Sequence, residues 1–371
     1  MSSQPVDVDL LTSQLSHAHF YRQGRLESDP SPYKDQAEPK VIYVRQFSNI
    51  KPQFSLVIPV HNQESIILRT LSHVFANTVR SYELIIILDY CTDATEEILI
   101  NHLDSFEPPT DLCLLCIVSQ STPVFETTSD NIGFSLSRAD IIIEIQADMI
   151  INEYAYNDTL AKPLVLYDDF IAVSGRSSHT FNQIVGIGKL GHRIERKLPR
   201  FLNKRFVYMM GTCNRGPLAL RRDRLETLGF FDEKNFFLND SDHDLFARAY
   251  HRYGWRCGYV PIEVISRLAE GSSRKPTLTN TTTNKDLNHE IKLQKTRTCT
   301  GGYLRSCSSL PSPPIEVRPL NNNYTSAFFW LLALKLRLFW INFIYHLRPA
   351  ALKGQASHLL SSTKKFPFLQ R

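Results

Sequence analysis

Phe54-Ser55-Leu56-Val57-Ile58-Pro59-Val60 is a short apolar run rich in β-branched residues. After it, Ser65 to Phe75 sets Ile66, Ile67, Leu68, Leu71, Val74 and Phe75 at helical spacing. Strand followed by helix is the first half of a βαβ unit, and the unit repeats. Leu84 to Leu88 reads as a strand, Asp93 to Leu103 as a helix with Thr92 as its N-cap, and Leu112 to Val118 as the next strand. A short helix is expected over Asn131 to Ser137, then a strand over Ile141 to Ile145. Near-continuous apolar strands alternating with helices predict an α/β fold with a Rossmann-like, mostly parallel sheet flanked by helices. Ligands in such sheets sit beyond the carboxyl ends of the strands, which directs attention to His61-Asn62-Gln63-Glu64, Asp89 and Asp148.

The rest of the chain is mixed. Strands are expected over Phe170 to Ser174 and Gly216 to Leu220, a basic helix over Val185 to Lys197, and a helix over Ser241 to Tyr253. Residues 1–52 are polar and proline-bearing and read as an N-terminal extension, with the main domain over 53–268. Residues 269–323 are dominated by Ser, Thr, Asn and Pro and read as a flexible linker or flap. Residues 324–371 form a C-terminal helical extension. Within 324–347 the longest apolar run is too short to span a bilayer, which takes about 20 residues. Two readings stand: an amphipathic helix in peripheral contact with a membrane, with Trp330 and Trp340 as interfacial anchors, or a helix packed on the domain.

With 371 residues and 43% hydrophobic content the chain can build a sizeable core, and its formal charge of +5 is mild. No aromatic-basic recognition motif accompanies the charge, so nucleic acid is not an expected partner. The seven cysteines are scattered; Cys113 and Cys116 have zinc-like spacing but lie in an apolar strand, which favours buried free thiols. Met1 to Leu10 lacks a basic segment followed by an apolar run, so the expected location is cytoplasmic, with a peripheral place at the cytoplasmic face of a membrane as the variant.

Two acidic signatures carry the chemistry. Ile141 to Ile145 leads through Gln146 and Ala147 to Asp148, a carboxylate just past a strand end, suited to a hard metal ion. Asp240, Asp242 and Asp244 cluster at a helix start, where a carboxylate is placed to take a proton from a substrate or simply to complement the helix dipole. His243 between them faces the metal or water. A sugar-phosphate nucleotidyltransferase would need a glycine-rich phosphate loop after the first strand, and Pro59 to Glu64 holds no glycine.

Taken in order, Ser55 to Glu64, Ile87-Leu-Asp89-Tyr-Cys-Thr-Asp93-Ala-Thr95, Asn131-Ile-Gly133, Gln146-Ala-Asp148 and Asn239 to Leu245 resemble the family 2 glycosyltransferases of the GT-A fold over roughly residues 54–267. The resemblance implies transfer of a hexose-like sugar from a nucleoside-diphosphate-sugar donor to an acceptor hydroxyl, with inversion and with a divalent metal, Mn2+ or Mg2+. It implies donor contacts at Pro59, Asn62, Glu64, Asp89, Asp93, Asn131 and Gly133, a metal ligand at Asp148 and a general base at Asp242. Arg176, Arg215, Asp240 and Asp244 are further candidates for acceptor or phosphate contacts. The acceptor class is a glycan, a lipid-linked sugar or a protein.

Three positions depart from the family pattern: Tyr90 for a second aspartate, Gln146 for the first aspartate of Asp-x-Asp, and Ser241 for the glutamate before the base. They keep open an alternative, a catalytically silent sugar-nucleotide or glycan-binding module of the same fold. The absence of a Gln-x-x-Arg-Trp element favours single addition over processive synthesis.

Overall fold

The computed structural model describes residues 39–176, 202–233, 236, 241–266, 316–321 and 323–347. The helix expected over Val185 to Lys197, the candidate Asp240 and most of 269–323 lie outside these residues.

A ten-stranded mixed sheet is the core of the molecule. Its main parallel block is β2 (Phe54–Val60), β3 (Tyr82–Leu88), β4 (Leu112–Gln120) and β5 (Ile141–Glu144), in spatial order β4-β3-β2-β5. Each βα crossover carries a helix: α1 (Ile67–Asn77), α2 (Thr95–Asp104) and α3 (Phe125–Leu136). Alternate residues of these strands feed two separate cores. Val57, Ile85 and Ile87 pack against Ile132 and Phe134 of α3 on one face, while Leu56, Ile58, Leu84 and Ile86 pack against Ile67, Leu71 and Leu99 on the other. Burial on both faces is why these strands have almost no polar residues.

A second, two-stranded antiparallel sheet, β6 (Met149–Ile151) with β11 (Val264–Ser266), stands off the main one, and α4 (Tyr156–Leu166) leads into β7 (Phe170–Ser174). The sheet then extends beyond β5 through β9 (Leu218–Arg221), β7, β10 (Arg256–Tyr259) and β8 (Phe206–Met210). Helices α5 (Arg222–Leu228) and α6 (Ser241–Tyr253) precede β10 in the chain.

Both outer edges come from beyond residues 53–268. At one end β1 (Pro39–Gln46) pairs antiparallel with β4, and at the other β12 (Val317–Pro319) pairs antiparallel with β8. The third helix is longer than its sequence pattern suggests and begins at Phe125, not at Asn131. The second begins at Thr95, not Asp93; its N-cap is Ala94, not Thr92, and the Asp93 Oδ1 accepts the Thr95 N–H at 3.1 Å. Cys113 and Cys116 are buried free thiols, as the apolar setting predicts.

The C-terminal helix α7 (Tyr324–Leu347) packs on the domain through one face. Ala327 and Leu334 are buried, and Trp330 stacks on Phe206 and donates its indole N–H to the Tyr208 hydroxyl at 2.9 Å. No described helix is long and apolar enough to cross a membrane.

Candidate active site

The loops leaving β2 and β3 are laced together by their own polar side chains. Asn62, in a left-handed conformation with φ 51°, accepts the Thr92 N–H on Oδ1 at 2.8 Å. Glu64 Oε2 accepts the Ala94 N–H at 3.0 Å, and Asp93 Oδ2 accepts the Glu64 N–H at 3.2 Å. These carboxylates answer the orphan N–H groups at the start of α2. Pro59 sits within β2, half-buried. The structure thus brings Pro59, Asn62, Glu64 and Asp93 to one rim at the carboxyl end of the sheet.

Asp89, expected at the donor, is engaged within the protein. Its two oxygens accept the N–H groups of Val124 and Phe125 at 2.7 and 2.9 Å, so it caps the start of α3 from the end of β3. Burial pushes its pKa up against those two hydrogen bonds. His61 Nδ1 donates to the Asp89 carbonyl at 2.6 Å, which fixes the imidazole proton on that nitrogen. Asn131 and Gly133, also expected at the donor, are buried. Asn131 Nδ2 donates to the Phe231 carbonyl and to Glu233 Oε1, and its Oδ1 accepts the Phe231 N–H. Gly133 lets α3 approach β2 so closely that a Cβ there would lie 2.2 Å from Val57 Cγ1.

Capping by Asp89 fixes the start of α3, and with it a buried charge cluster. Glu126 and Asp130, four residues apart, share one helix face. Across from them stands Glu144 of β5, and the three carboxylates have oxygens within 4.8 Å of one another. Arg215 reaches in from the loop before β9, its Nη1 2.9 Å from Asp130 Oδ2 and 3.2 Å from Glu126 Oε1. It also donates to the hydroxyls of Thr127 and Ser241 and lies 4.6 Å above the Phe231 ring. Burial works against the Arg215 charge, but the surrounding carboxylates outweigh it and raise its pKa. Burial pushes Glu144 up to about 8 and Asp130 well above the carboxylate range, in both cases against the pull of Arg215. Glu144 Oε2 accepts the Gly216 N–H at 2.7 Å. Arg215, expected to meet an anionic ligand, therefore already has internal counter-ions.

Gln146 joins this cluster to the strand end. Its Nε2 donates to Glu126 Oε1 at 2.9 Å, and its Oε1 accepts from Arg176 at 3.3 Å. Asp148, two residues on, is buried in the turn between β5 and β6. On the other side of the cluster, α6 begins with Ser241, whose hydroxyl also accepts from Thr127. Asp242 follows in the first turn, with 13% of its side chain exposed, and His243 donates to its Oδ1 from both backbone and ring, at 2.9 and 3.0 Å. Burial opposes its ionisation, yet the His243 hydrogen bond and the charge of Arg215 prevail and lower its pKa. Asp244 points away into structure. It pairs with Arg248 at 2.7 Å, which in turn donates to the carbonyls of Leu228 and Phe230, and burial pushes its pKa up to about 6.

Residues 55–226 match the family model described as Glycosyl transferase family 2. They are a family 2 glycosyltransferase domain. Its sheet is mixed, largely parallel and flanked by helices, the arrangement expected of the GT-A fold from the sequence. Among solved structures, the mannosyltransferase PcManGT from Pyrobaculum calidifontis, in complex with GDP-Man and Mn2+, is 15% identical, over 96% of this chain and 93% of that one, with a TM-score of 0.49. TarS of S. aureus is 16% identical over 56% of this chain, with a TM-score of 0.41, and the match spans 35% of the TarS chain. GalNAc-T7 with UDP, GalNAc and Mn2+ is 17% identical over 63% of this chain and 47% of that one, with a TM-score of 0.45. No curated relative matches the sequence.

Within the glycosyltransferase domain the donor set fits a hard divalent cation. The available ligands are all carboxylate oxygens, and Asp130 Oδ1 and Glu144 Oε1 are buried without a hydrogen-bond partner. Sequence reading passed over Glu126, Asp130 and Glu144. The signal for Glu144 was available, since it is the one charged residue in the run Ile141 to Ile145.

Proposed function

We propose that this glycosyltransferase moves a sugar from a nucleoside-diphosphate donor to an acceptor hydroxyl in one inverting, metal-assisted step, with Asp242 as general base. The observation that carries this reading is the setting of Asp242. It lies in the first turn of α6, beside Arg215 and fixed by His243, and its lowered pKa keeps it ionised and able to accept a proton at neutral pH.

Breaking the sugar–phosphate bond builds negative charge on the departing diphosphate and electron deficiency at the anomeric carbon. A divalent ion held by Asp148, with Glu126 on the facing side of Gln146, would supply charge neutralisation to the leaving group. The rim of Pro59, Asn62, Glu64 and Asp93 is the proposed place for the nucleoside. Asp242 takes the acceptor proton as the hydroxyl oxygen attacks the face opposite the leaving group. His243 and Arg215 hold the carboxylate in place and keep it charged.

The test is nucleoside-diphosphate release from UDP- and GDP-sugars in the presence of Mn2+, by wild type and by Asp242→Asn. General-base assistance is worth roughly 10²–10⁴ in rate. Turnover should fall by that order in the variant while donor-induced thermal stabilisation persists. Equal turnover in both would overturn the assignment, and donor binding without turnover in the wild type would favour the silent binding module.

A further inference from the structure

The face of α7 turned away from the domain is apolar and open. Phe328, Phe329, Leu332 and Leu336 are 65%, 63%, 47% and 54% exposed, opposite the face that buries Ala327 and Leu334. Large apolar side chains gathered on one stripe of a docked helix mark a contact surface. The charge of the chain says which kind. After Glu316 the sequence holds eight Lys and Arg residues and no Asp or Glu, whereas residues 1–316 carry a net −3. The net positive charge of the chain therefore comes from its sequence after Glu316, and seven of those eight residues fall at or after Lys335. Lys335 lies on its exposed side, and Arg348, Lys353, Lys364, Lys365 and Arg371 follow it in the chain. An apolar stripe flanked by a cationic tail meets both requirements for stable residence at an acidic lipid surface, where either signal alone gives only marginal binding.

We infer that α7 lies in the interface of an anionic membrane, seated by Phe328, Phe329, Leu332 and Leu336 and held by the basic residues that follow. Trp330 stays with the protein, so the helix acts as a fixed bracket between the domain and the lipid headgroups. This inference does not depend on Asp242 or on any catalytic assignment.

The full chain is mixed with phosphatidylcholine vesicles, with and without phosphatidylglycerol, and the bound fraction is measured by flotation at low and high salt. Binding to the anionic vesicles that weakens with salt is expected. Phe328→Glu combined with Leu332→Glu should lower affinity at least about ten-fold, and Lys364→Gln with Lys365→Gln about five-fold per charge removed. Phe328 and Leu332 are exposed, and an unaltered melting temperature verifies that both variants fold. No binding to anionic vesicles overturns the inference, as does equal binding by the Phe328→Glu, Leu332→Glu variant. A concentration-dependent dimer that this variant disrupts, with no vesicle binding, assigns the face to a second copy of the chain instead.

Discussion

Arg215 Nη1 lies 2.9 Å from Asp130 Oδ2, and the two side chains are 7% and 0% exposed. An ion pair so deeply buried is costly to break, because the surviving charge has neither partner nor water. Arg215→Met should therefore destabilise the protein by about 3 kcal/mol or more in urea unfolding. Adding Asp130→Asn to that background should recover part of the loss. A simple sum of the two single effects would show that the residues are not coupled.

The same cluster gives stability an unusual pH dependence. Glu144 has a folded-state pKa near 8 against an ordinary 4.5, and Asp130 is raised as well. The folded state thus keeps protons that the unfolded chain has released, so stability is fully present below about pH 4.5 and drains away as pH rises toward 8. The groups facing Glu144 are Arg215, Glu126, Asp130, Asp242 and the Gly216 N–H, and none is removed by Glu144→Gln, whose amide oxygen still accepts from Gly216. The melting temperature of the wild type should fall between pH 5 and 8, and the Glu144→Gln curve should be flatter above pH 6. Below pH 6 a slope from Asp244, with its pKa near 6, should remain.

Gly133 is explained by packing alone, which makes a clean test against a donor role. Gly133→Ala should cost about 1–3 kcal/mol through overpacking against Val57, and Val57→Ala in the same chain should relieve part of it. Donor affinity measured on the doubly substituted protein should match the wild type.

Asp89 is predicted to matter for stability before it matters for ligands. Asp89→Ala removes both acceptors at the start of α3 and should cost about 1–2 kcal/mol, with Asp89→Asn intermediate. Because Glu126 rides on α3, Mn2+-dependent thermal stabilisation should weaken in the same variant.

The sequence made legible what local pattern controls. Val57, Ile85 and Ile143 sit in runs so apolar that a strand buried on both faces was the one reading available. Phe170–Ser174 and Ser241–Tyr253 were found at their observed bounds. Long-range decisions were hidden. Val41 and Val44 of β1 look like part of a polar leader until β4 is there to pair with them. Glu126, Glu144 and Arg215 come from a helix, a strand and a loop, and no spacing in the chain announces that they meet. The start of α3 was missed because its cap is Asp89, 36 residues before Phe125 in sequence.

The placement of β1 also bears on where this protein can be cut. Residues 39–46 cover the edge of β4, a strand whose own nine residues are almost wholly buried. Trimming the chain to the start of β2 would bare a row of unpaired backbone groups beside Leu114, Cys116 and Val118, a surface that recruits strands from other molecules. The smallest soluble catalytic fragment should therefore begin ahead of Pro39, and versions starting near Gln53 should be recovered as aggregates.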